Sequence, residues 1–366
     1  MEIVEDTVYL TDSELKRLNQ VIQKMIAEMK LYREFNWKSL KSIAQKYDEY
    51  NIRIPKPKAV VVPMKKQEVI GMAMQYFQSL GNDIYHQIVQ AVMQQKKNVI
   101  VEVYDKHEIH DYTEMNEFDM PRYDDIPNVK RIKGKPQSTV YVPLHSDYSR
   151  VEKNAIGAEA TLSDLYAFVH EISHLLDYNP NITENKTRKL VAESTAIAFE
   201  MGLSEFLLEK ERFPREAIIY EYNTRANHLF NCLELFYMFL ELIDSKNLVE
   251  EITKESLVQL QDKLQYKAKY TKYLFHRILK ERFSLLTLGN YGIAAMLSPT
   301  ISQKLRDPKK RGKILEYLEY VKSDQLDKFF DPLELGEQDI DYDTMFQNMQ
   351  MQLDKINGRE PYKREI

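Results

Sequence analysis

The chain has 366 residues, of which 43% are hydrophobic and 29% charged, the composition of a folded globular protein and not of a disordered one. A formal net charge of −5, with a lone basic cluster at Lys309, Lys310 and Arg311 beside Arg306 and Lys313, argues against a nucleic-acid partner. The single cysteine, Cys232, excludes an intrachain disulfide framework, and no apolar run approaches the roughly 18 residues of a membrane span.

Only 10 Gly and 13 Pro interrupt a sequence rich in helix formers, so the fold class is expected to be mainly α. The first six residues are acidic and lack the apolar core of a secretion signal, and the expected location is cytoplasmic. From Asp12 to about Tyr47 the pattern is helical, with Leu15, Leu18, Val21, Ile22 and Met25 at helical spacing after the candidate caps Thr11, Asp12 and Ser13. Pro55 and Pro57 mark an extended link, and a second amphipathic stretch runs over 66–95 with a break near Leu80-Gly81-Asn82. Residues 98–104 and 138–144 are short and β-branched and predict two strands of one small sheet. Between them, 105–136 reads as a long surface loop. From Thr161 onward the periodicity predicts helices over about 161–178, 187–211, 213–244, 255–283, 290–298, 300–306, 309–322 and 343–356. Gly289 and Gly292 would flank Tyr291 at a helix entry. The chain then divides into an N-terminal helical segment over 1–60, a main domain over 61–356 and a tail over 357–366.

The string that carries chemistry is Val169-His170-Glu171-Ile172-Ser173-His174. Residues four apart share a helical face, so His170 and His174 can reach one ion, while Leu165, Phe168, Val169, Ile172 and Leu176 follow the period that faces a core. Neutral imidazole suits zinc, and Glu171 lies where it can take a proton from a water that such an ion acidifies. A catalytic zinc needs a third protein ligand, and Glu193 lies 18 residues beyond His174, room for a turn at Asn179-Pro180 and a returning helix. Glu200 is seven residues further on the same face, with the small Ala196 between. Glu193 is the expected ligand, with Glu200 behind the ligand set; the alternatives are two exposed glutamates on a solvated helix, or Glu200 as the ligand itself.

These motifs, in their order along the chain, resemble the thimet oligopeptidase and oligoendopeptidase F metallopeptidases. The resemblance rests on Gln67–Tyr85 ahead of the strands, on Gly134-Lys135-Pro136 before the strand Thr139–Leu144, and on Thr161–Leu165 entering the motif helix. It continues in Val191-Ala192-Glu193 with Glu200, and in Ile314–Asp324 with the Leu335–Asp341 turn, so that it spans about residues 60–356. It implies a helical, clam-like fold with a small β-sheet beside the motif helix and a substrate channel. It also implies one zinc per chain on His170, His174 and Glu193, Glu171 as general base, and hydrolysis of oligopeptides or extended protein segments. The chain departs from the family in four places. Ser173 stands where Gly is preferred, the spacer before Glu193 is shorter, and only about sixty residues precede the similarity. The helix expected to bring an oxyanion-stabilising His and several Tyr reads Phe283-Ser284-Leu285-Leu286-Thr287-Leu288 and has neither. Tyr291 and His276 are the nearest replacements, with Tyr270 and Tyr273 close to His276 in sequence. That departure motivates a second reading, a peptide-binding protein that keeps the fold but has lost turnover.

Overall fold

A computed structural model of the chain describes residues 11–31, 54–55, 60–94, 99–104, 122–124, 139–145, 160–179, 182, 185–244, 253, 255, 285–325, 327–328, 330–335 and 342–359. The fold is mostly helical, as the composition requires. In chain order come α1 (Asp12–Leu31), β1 (Pro63–Met64), α2 (Lys66–Ser79), α3 (Asn82–Gln94), β2 (Val99–Tyr104), β3 (Arg122–Asp124), β4 (Thr139–His145) and β5 (Ala160–Thr161). Then follow α4 (Leu162–Ser173), α5 (Lys186–Lys210), α6 (Arg215–Asp244), α7 (Leu285–Arg306), α8 (Arg311–Lys322), a 3-10 turn (Asp331–Leu333) and α9 (Tyr342–Asn357). None of the described helices is long and apolar enough to cross a membrane.

The chain divides into two compact units, one formed by Met1–Arg53 with Asn227–Ala295, the other by Ile54–Ala226 with Met296–Ile366. In the first, Leu18, Ile22 and Ile26 of α1 recur every fourth residue and are buried, the stripe that makes this segment helical.

The second unit holds the motif. Among its described residues the strands form two small sheets: β1 pairs antiparallel with β5, and β4 lies between β2, parallel to it, and β3, antiparallel. Both β4 and β5 pack against α4, which places sheet beside the motif helix. Helix α4 begins where Thr161 and Asp164 form a reciprocal cap, the Thr161 amide and hydroxyl donating to Asp164 Oδ2 at 2.6 and 2.9 Å. Its apolar face, Leu165, Phe168, Val169 and Ile172, is buried, and α5 and α2 pack on it.

Three expectations need correction. Helix α4 ends at Ser173 and not near 178: the Ser173 hydroxyl bonds back to the Val169 carbonyl at 2.6 Å, and the chain tightens into i+3 turns through Leu175 and Leu176. Pro299 does not divide two helices, because α7 runs through it from Leu285 to Arg306. One missing amide is outweighed there by the buried stripe of Leu297, Ile301 and Leu305. Gly289, Tyr291 and Gly292 accordingly lie inside α7 and not at its entry. The expected loop over 105–136 contains β3, too short to show a period in the sequence.

The Tyr76 side chain of α2 reaches α5 at Gly202. Tyr76, fully buried on α2, donates its hydroxyl to the Phe199 carbonyl at 2.8 Å, and a Cβ on Gly202 would stand 2.5 Å from the Tyr76 hydroxyl oxygen. Gly202→Ala gains about 1 kcal/mol of helix propensity but forces a shift in a packed core that costs about 1–3 kcal/mol. The variant is expected to unfold at lower urea than the wild type, with Tyr76→Phe in the same chain restoring part of the loss. An unchanged midpoint in Gly202→Ala would show that Tyr76 can move.

Candidate metal centre

His170 sits in the last turn of α4 and His174 at its C-cap, where φ −62 and ψ −17 keep the backbone helical although the regular helix has ended. The two rings therefore lie one turn apart and meet edge to face, their centroids 4.9 Å apart and their planes at 84°. The facing side chain comes from α5. Three residues at its start, Asn185, Thr187 and Arg188, tie that helix to other segments. The Asn185 side chain accepts from the Arg188 amide at 2.7 Å while its own amide donates to the Val321 carbonyl of α8 at 2.6 Å. Asp324, in a left-handed conformation, accepts from the Thr187 amide and hydroxyl at 2.7 and 2.9 Å. Arg188 reaches back to Asp177, the buried residue just beyond the motif, through Nε at 2.7 Å.

With its start fixed, α5 carries Glu193 onto the imidazoles. Glu193 Oε2 lies 3.3 Å from His170 Nε2, and Oε1 lies 3.8 Å from His174 Nε2. One donor atom from each of His170, His174 and Glu193 falls within 4.8 Å of the others. Four ligands about 2.0–2.1 Å from a tetrahedral zinc would stand roughly 3.3 Å apart. Two imidazole nitrogens and a carboxylate oxygen are also the donor chemistry of an open catalytic zinc site, so the set fits a divalent zinc. Glu171, buried in the turn between the two histidines, is not a member of this convergent group. Glu200 takes the other edge of His170, its Oε1 3.6 Å from Nδ1, and buried Ala196 separates it from Glu193 as expected.

Burial opposes a positive charge on both imidazoles. At His170 the hydrogen bonds and charges of Glu193 and Glu200 outweigh that effect and hold its pKa well above the usual histidine range. At His174 burial prevails over the attraction of Glu193, with the charge of His170 adding to it, and the pKa is pushed down to about 4. Burial works to raise Glu200, but the Arg225 guanidinium and His170 overcome it and keep the carboxylate below its ordinary range.

Tyr291 lies on α7 against His228, ring centroids 5.3 Å apart, and His228 Nε2 stands 3.8 Å from the Cys232 thiol. His276, Tyr270, Tyr273 and the Gly134–Pro136 segment lie outside the described residues. Sequence reasoning missed Arg225, Asp177 and Arg188. For Arg225 a faint signal existed, since Glu221 stands four residues before it on one helix; the pairing of Asp177 with Arg188 has no local signature.

No protein-family model matches this chain, and no curated protein sequence matches it. Among solved structures it is similar to a crystal structure of a "putative peptidase" from Chlamydophila abortus. The two align with a TM-score of 0.57 at 13% identity, over 96% of this chain and 56% of that one. The likeness is one of fold, and the chain spans little more than half the length of that protein.

Proposed function

We propose that the chain is a zinc-dependent endopeptidase acting on oligopeptides or extended protein segments. The observation that carries this reading is the convergence of His170, His174 and Glu193 from two helices onto a common point, with Glu171 in the turn between the histidines. The fold likeness to a protein described as a peptidase supports it.

In this reading His170 Nε2, His174 Nε2 and one Glu193 oxygen hold the ion, and Glu200 orients His170 from behind. When bound, zinc supplies a Lewis acid for the scissile carbonyl and acidifies a water molecule. Glu171 removes a proton from the attacking water as its oxygen bonds to the carbonyl carbon, then delivers that proton to the amine nitrogen as the C–N bond breaks. The core face of α4 keeps the base and His170 on one rigid element, with His174 at its C-cap.

Incubation with a quenched peptide library tests the proposal. Cleavage that stops with phenanthroline and returns with added zinc is the expected result. Peptides that bind without any product detectable by mass spectrometry after long incubation would replace it with a binding protein that has lost turnover.

A further inference from the structure

We propose that Arg225 is a positioning residue of the metal centre, holding the Glu200 carboxylate against the Nδ1 edge of His170 so that Nε2 of that ring faces Glu193. The inference rests on the zinc-site reading above and adds a residue that the motif does not contain.

Arg225 stands on α6, yet its guanidinium engages α4 and α5 as well. Nε donates to Glu200 Oε1 at 3.2 Å, and Nη1 pairs with Glu221 and reaches the Glu221 carbonyl at 3.3 Å. Nη2 donates to the Ser163 carbonyl and hydroxyl at 3.2 and 3.4 Å. The guanidinium carbon lies 4.5 Å from the centre of the Tyr166 ring, so the planar group is held on its face as well as its edges. Both Ser163 and Tyr166 belong to the helix that carries His170.

Two features separate this arrangement from simple charge neutralisation. Glu221, four residues earlier on the same helix, already supplies a counter-charge; Glu200 comes from a different helix. Moreover, the Glu200 oxygen that accepts from Arg225 is the one that faces His170, since Oε1 serves both. A carboxylate at Nδ1 keeps the ring proton there and leaves the Nε2 lone pair for a metal. The carboxylate can do this only if it does not rotate away, and Arg225 supplies the second contact that fixes it. Lysine would not reproduce the effect, because a single ammonium cannot meet Glu200, Glu221 and Ser163 together.

Zinc titration of metal-free protein against a competing chelator, on the full chain, tests the assignment. Arg225→Met and Glu200→Gln are each expected to weaken zinc binding about 10- to 100-fold, the usual effect of losing a partner behind a ligating histidine. The double variant should bind no more weakly than the worse single variant, because both act through the same carboxylate. The visible absorption of the cobalt(II)-loaded protein should change in both single variants, which a purely structural role for Arg225 would not require. Zinc affinity of Arg225→Met within about twofold of wild type, or fully additive losses in the double variant, would overturn the proposal. If Arg225→Met does not fold, Arg225→Lys replaces it, and wild-type affinity there alongside weakened binding in Glu200→Gln overturns it equally. A wild-type chain that takes up no zinc defeats the underlying site reading instead, and this inference with it.

Discussion

Glu171→Gln is expected to lower peptide hydrolysis about 100- to 10,000-fold, the usual contribution of a positioned general base, while leaving zinc bound. Glutamine keeps the size of the side chain but cannot accept the proton of an attacking water. The donor atoms that converge belong to His170, His174 and Glu193, so a metal held there would not depend on Glu171. His174→Ala should behave differently, losing metal and activity together. Measured side by side, initial rates and zinc content separate base from ligand. A Glu171→Gln enzyme that cleaves at the wild-type rate would remove this residue from the chemistry.

The second large effect is on stability. Asp177 and Arg188 form an ion pair at 2.7 Å with side-chain exposures of 0% and 9%, and they tie the segment after the motif to the first turn of α5. The two partners differ in what happens when the other is removed. Arginine cannot shed its charge, so Asp177→Ala leaves a buried cation without its carboxylate and should cost about 3 kcal/mol or more. Arg188→Met leaves a carboxyl that can take up a proton. Burial and the Glu193 carboxylate already push Asp177 well above the usual aspartate range, with Lys322 and a hydrogen bond from Thr195 opposing them. In Arg188→Met the folded chain therefore holds a proton on Asp177 at pH values where the unfolded chain has released it. Stability then falls as pH rises above the unfolded value of about 3.9. Urea midpoints of chelator-treated protein should show Asp177→Ala below Arg188→Met at pH 5, and the deficit of Arg188→Met widening by pH 8. A deficit that narrows with rising pH would contradict this account of the pair.

The legibility of the sequence followed the range of the interactions. Two helices were read to within a residue: the structure has α5 at Lys186–Lys210 against an expected 187–211, and α9 at Tyr342–Asn357 against 343–356. Four-residue spacing on one helix is local information, which is why His170 and His174 could be paired from the chain alone. Glu193 required a guess about the turn between two helices, and the structure supplies its geometric part by bringing the carboxylate within 3.3 Å of His170. Illegible were the features that a helical period does not encode. The end of α4 is set by a serine bonding back to its own helix, and the passage of α7 through Pro299 by a buried stripe that a propensity scale does not weigh. Arg225 could not be singled out, because nothing in the sequence says that Glu200 and Ser163 arrive beside it.

Zinc content is the most direct test of the central claim. Protein purified without chelator, then analysed by elemental mass spectrometry beside Glu193→Ala, should carry about one zinc per chain, and the variant only a small fraction of that. A wild-type chain that stays metal-free even after incubation with zinc, or a Glu193→Ala chain that keeps full occupancy, would contradict it.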